Sequence, residues 1–139
     1  MRIGLIADTH IPESVRKLWP QVNEIFRDTD CILHAGDLHS GSLIDELAGL
    51  APVFVARGNG DIEVVHERLR DSWVLEFDGI TICLIHEFPR PNPLAKDIAK
   101  GYIERKFPGV DPDVVVYGHS HRDEISFMDG TIYINPGSP

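Results

Sequence analysis

Three short apolar runs rich in β-branched residues, "RIGLIA" (2–7), "CILHA" (31–35) and "PVFVA" (52–56), are separated by segments of helical pattern. No other feature of the sequence narrows the fold so much. Buried runs of this length read as strands, and strands that alternate with helices build a sheet with helices packed on it. Between the first two runs, from Pro12 to about Thr29, the residues Val15, Leu18, Trp19, Val22, Ile25 and Phe26 form one helical face, with a break or kink expected near Trp19 because of Pro20. Residues 41–50 suit a helix capped by Ser40 or Ser42. The second half changes character. "SWVLEF" (72–77), Asp78-Gly79 and "ITICLI" (80–85) read as a tight hairpin, and a helix is expected over 93–106. "DVVVYG" (113–118) is a further strand, and "EISFMDGTIYI" (124–134) is a second hairpin turning at Asp129-Gly130. The expected architecture is α/β: two mixed sheets packed together with helices outside, as one domain over residues 1–139.

The ends of these strands carry the chemistry. The first leaves into Asp8-Thr9-His10, the second into His34-Ala35-Gly36-Asp37, and the third into Arg57-Gly58-Asn59-Gly60-Asp61. "ITICLI" ends in His86, and "DVVVYG" runs into His119-Ser120-His121. In open α/β sheets, sites form at the carboxyl ends of strands. Residues i and i+2 lie on one side of a strand-like segment, so Asp8 and His10, and likewise His119 and His121, are expected to converge. Glycines at 36, 58, 60 and 118 permit tight turns and close backbone approach. Histidine, carboxylate and amide ligands without thiolate suit a divalent ion such as manganese, iron, zinc, nickel or cobalt. Six or seven ligands exceed the need of one ion, so two ions sharing a bridging carboxylate are expected. A mononuclear zinc hydrolase would leave half of the set unexplained.

Composition excludes several alternatives. A net charge of −9, from 13 basic and 22 acidic residues, argues against a surface built to grip nucleic-acid backbone. Cys31 and Cys83 each sit inside an apolar run and are expected to be buried, reduced thiols. No apolar stretch approaches the roughly 20 residues that span a bilayer, and the N-terminus lacks a signal-peptide pattern. The expected compartment is the cytoplasm.

The ordered set "DTH", "GD", "GNGD", a histidine ending a strand, and "GHSH" resembles the calcineurin-like metallophosphoesterases. The size and the trailing "NPGS" are similar to their small prokaryotic phosphodiesterase branch. The resemblance implies a four-layer α/β/β/α sandwich and a cytoplasmic phosphoesterase. It implies that Asp8, His10, Asp37 and His121 hold one ion, and that Asp37, Asn59, His86 and His119 hold the other, with manganese the first candidate. Asn59, His86 and His119 are the candidate catalytic residues. A hydroxide between the ions is expected to attack the phosphorus of a small phosphate ester. A retromer coat subunit is similar in fold but works as an interaction scaffold with an impaired metal site; this is the alternative reading.

Larger members carry a histidine after the asparagine, and an aspartate three residues past the bridging one, to protonate the leaving group. This chain has Gly60 and Ser40 there, which favours diesters with good leaving groups. His39 and His34 are the substitutes to consider, with His34 better read as a buried histidine bonded to backbone. Glu87 is either a solvated loop acid or a charge at the site. Arg57 either faces phosphate or makes a structural ion pair. His66, Arg90, Lys96 and Lys100 are expected on the solvated surface. Because such chains usually continue into another strand, a sheet edge is expected to be open or covered by a second copy.

Overall fold

A computed structural model of the chain describes residues 1–12 and 16–139; Val15 of the expected helical face lies outside the described residues. Strands β1 (Ile3–Ile6), β2 (Cys31–His34), β3 (Val53–Ala56) and β4 (Leu69–Arg70) form one sheet in the order β1-β2-β3-β4. Every pairing in it is parallel. The second sheet has the order β5-β6-β7-β9-β8, from β5 (Ser72–Phe77), β6 (Ile80–Ile85), β7 (Val114–Val116), β8 (Asp123–Met128) and β9 (Thr131–Pro136). Only this sheet mixes directions, because its two hairpins are antiparallel while β6, β7 and β9 run parallel. Both hairpin turns use positive φ at consecutive residues, Asp78 (51°) with Gly79 (80°) and Asp129 (51°) with Gly130 (81°). That is the backbone that Asp-Gly pairs favour between twisted strands.

Three apolar clusters mark the interfaces between four layers. Ile6, Ile32, Val53 and Val55 of the first sheet pack with Val22 and Phe26 of α1 (Pro20–Phe26) and with Leu43, Ile44 and Leu47 of α2 (Gly41–Ala48). Cys31, Leu33, Ile82, Leu84 and Val116 fill the space between the sheets. Cys83, Val115 and Tyr133 cover Ala99 and Ile103 of α3 (Lys96–Lys106). The alternating residues of each strand thus face opposite interfaces, as the pleat requires.

Several local expectations need correction. The break expected near Trp19 is present as a helix start: Pro20 occupies the first helical turn of α1, where its missing N–H costs nothing. Residues 16–19 are not helical, and in so short a helix the apolar stripe narrows to Val22 and Phe26, leaving Ile25 55% exposed. Ser40 stands at the N-cap of α2, but its hydroxyl pairs with that of Ser42 at 2.6 Å rather than with backbone. α3 begins at Lys96, after a turn in which Asn92 Oδ1 accepts the Leu94 N–H. Both cysteines are free and buried, and burial pushes the Cys83 thiol up to about 11. β8 is a sheet edge with Ile125 and Phe127 exposed. Among the described residues, no helix is long and apolar enough to cross a membrane.

Candidate metal centre

The exits of β1, β2, β3, β6 and β7 meet at one end of the sandwich, and the predicted ligands sort into two groups. In the first, His121 Nε2 lies 3.5 Å from Asp8 Oδ1, and His10 Nε2 lies 3.9 Å from the same oxygen. In the second, His86 Nε2 lies 3.0 Å from Asn59 Oδ1 and 3.2 Å from His119 Nδ1. Asp37 stands between them: its Oδ2 is 3.5 Å from His10 Nε2 and 3.5 Å from His86 Nε2. Nitrogen and oxygen atoms bound to one ion at about 2.1 Å sit roughly 3–3.5 Å apart, a range that holds all of these spacings except the 3.9 Å between His10 and Asp8.

The donor chemistry also fits. His86 is buried, and its Nδ1–H donates to the Ala35 carbonyl at 2.6 Å. In the neutral ring this leaves a lone pair on Nε2, aimed at Asn59 Oδ1 and Asp37 Oδ2, which are themselves acceptors. Acceptors facing one another suit a shared cation, whether a metal ion or a proton. Asp8 Oδ1 and His10 Nε2 are buried without a hydrogen-bond partner among the described residues. Burial raises the Asp8 carboxyl above its ordinary value, and Asp37 adds to this. His86, His121 and the His119 amide pull the other way. A bound cation would hold the Asp8 carboxylate ionised.

Convergence does not come from strand-like alternation, as the spacing suggested. Asp8 (φ 51°), His10 (50°), Asp37 (57°), His119 (69°) and His121 (61°) all have left-handed backbone. Non-glycine residues enter that region at a cost of about 1 kcal/mol each and cluster at functional sites. Of the four glycines, only Gly36 has positive φ, at 92°. The others are there for close approach. A Cβ on Gly118 would lie 2.9 Å from both the Ala35 carbonyl and Asp8 Oδ2.

Asp61, at the exit of the third strand but outside the predicted ligand set, is fully buried and organises the site. Its Oδ2 accepts the Asp37 and Gly58 N–H groups at 2.8 Å each, and its Oδ1 accepts the His39 N–H at 2.8 Å. The sequence signal was present in the short reach back from residue 61 to the "GNG" turn, but the partners at 37 and 39 are visible only in the fold. "NPGS" also has a physical task. Asn135, 2% exposed, donates to the Gly118 carbonyl (2.9 Å) and Ser120 Oγ (3.0 Å), and Ser138 Oγ donates to the Asp8 carbonyl (2.8 Å). It braces the "GHSH" turn.

The remaining candidates have other partners. His34 is fully buried, accepting the Gly36 N–H on Nδ1 and meeting Thr9 Oγ1 through Nε2, both at 3.1 Å. Burial lowers its pKa to about 3, with His86 adding to the fall. It therefore stays neutral. Arg57 donates to the Asp61 and Val64 carbonyls and pairs with Asp71, a structural role. His66 pairs with Asp45, Arg90 with Glu124 and Lys96 with Asp129, all at the surface. Glu87 is exposed and lines a cleft of about 330 Å³ with Asn59, His86, Tyr102 and Lys106.

The sequence profile of the calcineurin-like phosphoesterase superfamily domain matches residues 1–139. The chain belongs to this superfamily. A probable metallophosphoesterase of Methanothermobacter thermautotrophicus is 36% identical over 139 residues, covering 100% of this chain and 77% of that one. A phosphodiesterase of Methanocaldococcus jannaschii is 29% identical over 153 residues, covering 99% of this chain and 83% of that one. The fold matches vacuolar protein sorting 29 of Cryptosporidium parvum with a TM-score of 0.81 at 22% identity, over 98% of this chain and 73% of the other. As a member of this superfamily, which binds divalent metals, the chain carries candidate metal-ligand groups.

Proposed function

We propose that this calcineurin-like phosphoesterase is a two-metal phosphodiesterase acting on small phosphate diesters, with manganese the first ion to test. The observation that carries the reading is Asp37 Oδ2, set 3.5 Å from the Nε2 atoms of both His10 and His86. In this reading Asp8, His10, Asp37 and His121 hold one ion, and Asp37, Asn59, His86 and His119 hold the other. When bound, such a pair supplies Lewis acidity and a water of lowered pKa for in-line attack on phosphorus. Asn59 is exposed at the mouth and turns its Oδ1 to His86, which leaves its amide NH₂ to donate to a phosphoryl oxygen. His119 borders the same opening, held through its backbone N–H on Asp8 Oδ2 at 3.0 Å. The cleft past Asn59 and His86 has room for an ester substituent, with Lys106 and Tyr102 on its wall.

Diesters are favoured over monoesters by Gly60 and Ser40, which supply none of the usual acid to an alkoxide, and by the likeness to a phosphodiesterase. The test is turnover of bis(4-nitrophenyl) phosphate by manganese-reconstituted protein, with 4-nitrophenyl phosphate alongside. The diester is expected to turn over faster, and Asp37→Asn to be inactive. A folded, metal-loaded protein without turnover on either ester would favour the scaffold reading, in which exposed Ile125 and Phe127 offer a contact surface.

A further inference from the structure

We infer that the cleft beyond Asn59 and His86 selects one substituent of the diester by its charge: Lys106 binds an anionic group carried on that substituent, and Glu87 opposes it. The inference rests on the phosphodiesterase reading and deepens it, because it names the class of ester preferred.

The cleft opens directly from the candidate metal centre. Asn59 and His86, which meet at 3.0 Å, line it, so a phosphate ester bound at these residues has this cleft for one of its substituents. Ile85, 8% exposed, gives an apolar wall, and Tyr102 gives a fixed one. The Tyr102 hydroxyl donates to the Glu87 carbonyl at 2.9 Å, and its ring packs edge-on against Phe88 with centroids 5.1 Å apart. That ties α3, and Lys106 one turn further along it, to the exit of β6.

The charged residues of the cleft are Arg57, Asp71, Glu87 and Lys106. Arg57 and Asp71 are already engaged. One Arg57 nitrogen donates to the Asp61 and Val64 carbonyls, at 2.6 and 3.0 Å, and Nε lies 3.5 Å from Asp71 Oδ1. Glu87 and Lys106 are exposed, and neither side chain makes an ion pair among the described residues. A cation at a helix C-terminus is favourable in its own right, and Arg105 next to Lys106 serves that end as well. Lys106 differs in lining the cleft, with its ammonium 5.7 Å from the centre of the Tyr102 ring. The ring supplies no acceptor oxygen, so the ammonium keeps N–H donors for an anion. In a chain of net charge −9, an unpaired cation beside the site runs against the surrounding field. The group it fits is a carboxylate or phosphate, joined to the ester oxygen by a short apolar link that Ile85 and Tyr102 cover. Glu87 sets a like charge against that group from the same cleft.

The test uses the manganese-loaded full chain and diesters that share 4-nitrophenolate as leaving group. The other substituent is propyl, 2-carboxyethyl, 2-phosphooxyethyl or 2-aminoethyl; the two anionic arms tell carboxylate from phosphate. Wild type is expected to favour the better anion over propyl by about threefold in kcat/KM, within the range of an exposed ion pair. Lys106→Ala should abolish that preference, with the loss in KM, as for a contact made alike in ground and transition state. Lys106→Glu should turn the preference to 2-aminoethyl, and Glu87→Gln should enlarge the preference for the anion. The wild-type ratio of anionic to propyl ester persisting in Lys106→Ala would overturn the subsite. So would loss of an ion from Lys106→Ala, or a smaller anion preference in Glu87→Gln. A wild type that loads two ions but turns over none of the esters would overturn the phosphodiesterase reading as well.

Discussion

The two sheets contribute unlike halves of the centre. From the parallel sheet come both carboxylates, His10 and Asn59; from the mixed sheet come His86, His119 and His121. The parallel half is wired internally. Its loops continue the strand pairing beyond β1 and β2, with Asp8 N–H on the Gly36 carbonyl, His10 N–H on Asp37 and Ile11 N–H on Leu38. Asp61 then fixes Asp37, His39 and Gly58 together. The mixed half is held more lightly. His86 is locked by Ala35, but the His121 side chain is 48% exposed and its turn is braced from Asn135. The difference teaches that negative charge is preorganised by buried backbone donors, whereas in the proposed two-metal reading the outer imidazoles would be held by the ions they bind.

The largest effect that would break or sharpen this contrast is expected at Asp37. Asp37→Asn removes charge from both sites, and apparent manganese affinity should fall by more than about 100-fold, beyond the usual loss on removing a residue that merely orients a ligand. Equilibrium dialysis reads this directly.

Asp61→Ala should follow. It strands buried N–H groups and should cost about 3 kcal/mol, lowering the melting midpoint by roughly 10 °C. A thermal scan of the metal-free protein checks it, because the loss does not depend on ions. A surface residue would change neither quantity.

His34 gives a pH signature to the same buried half. Its folded pKa of about 3 lies below the ordinary 6.5, so the unfolded chain takes up the proton first as pH falls. Stability is therefore retained above about pH 6.5 and declines through the window down to about 3, by about 2 kcal/mol at pH 5. Urea unfolding from pH 7 to pH 5 measures it, and His34→Gln should flatten the slope.

Asn135→Ala should have the smallest effect, about 1 kcal/mol, with metal loss at His119 and His121 larger than the change in folding. Equal damage to folding from Asn135→Ala and Asp61→Ala would erase the distinction between the halves.

The sequence made the strand exits legible because ligand-type residues are out of place beside apolar runs, and five such exits point to one edge. Both Asp-Gly hairpins were legible for a similar reason, since the dipeptide specifies its turn. The role of Asp61 was not legible because a polar "GNGD" turn looks solvated, and only the fold brings the N–H groups of residues 37 and 39 to it. Left-handed backbone at the ligands leaves no trace in the side-chain pattern. β4 was missed because two residues, Leu69–Arg70, carry no periodicity. Gly60 could be read as a missing side chain, but His39 as the occupant of its space needs coordinates.

The paired centre is tested most directly by which ion each outer histidine serves. The measurement is manganese per chain, by elemental analysis after reconstitution and removal of free ion, for wild type, His119→Ala and His121→Ala. About two ions are expected in the wild type and about one in each variant. Adding Asn59→Ala should strip the remaining ion from His121→Ala but not from His119→Ala. Loss of the same single ion in both variants, or a wild type that never holds more than one, would contradict the paired centre built around Asp37.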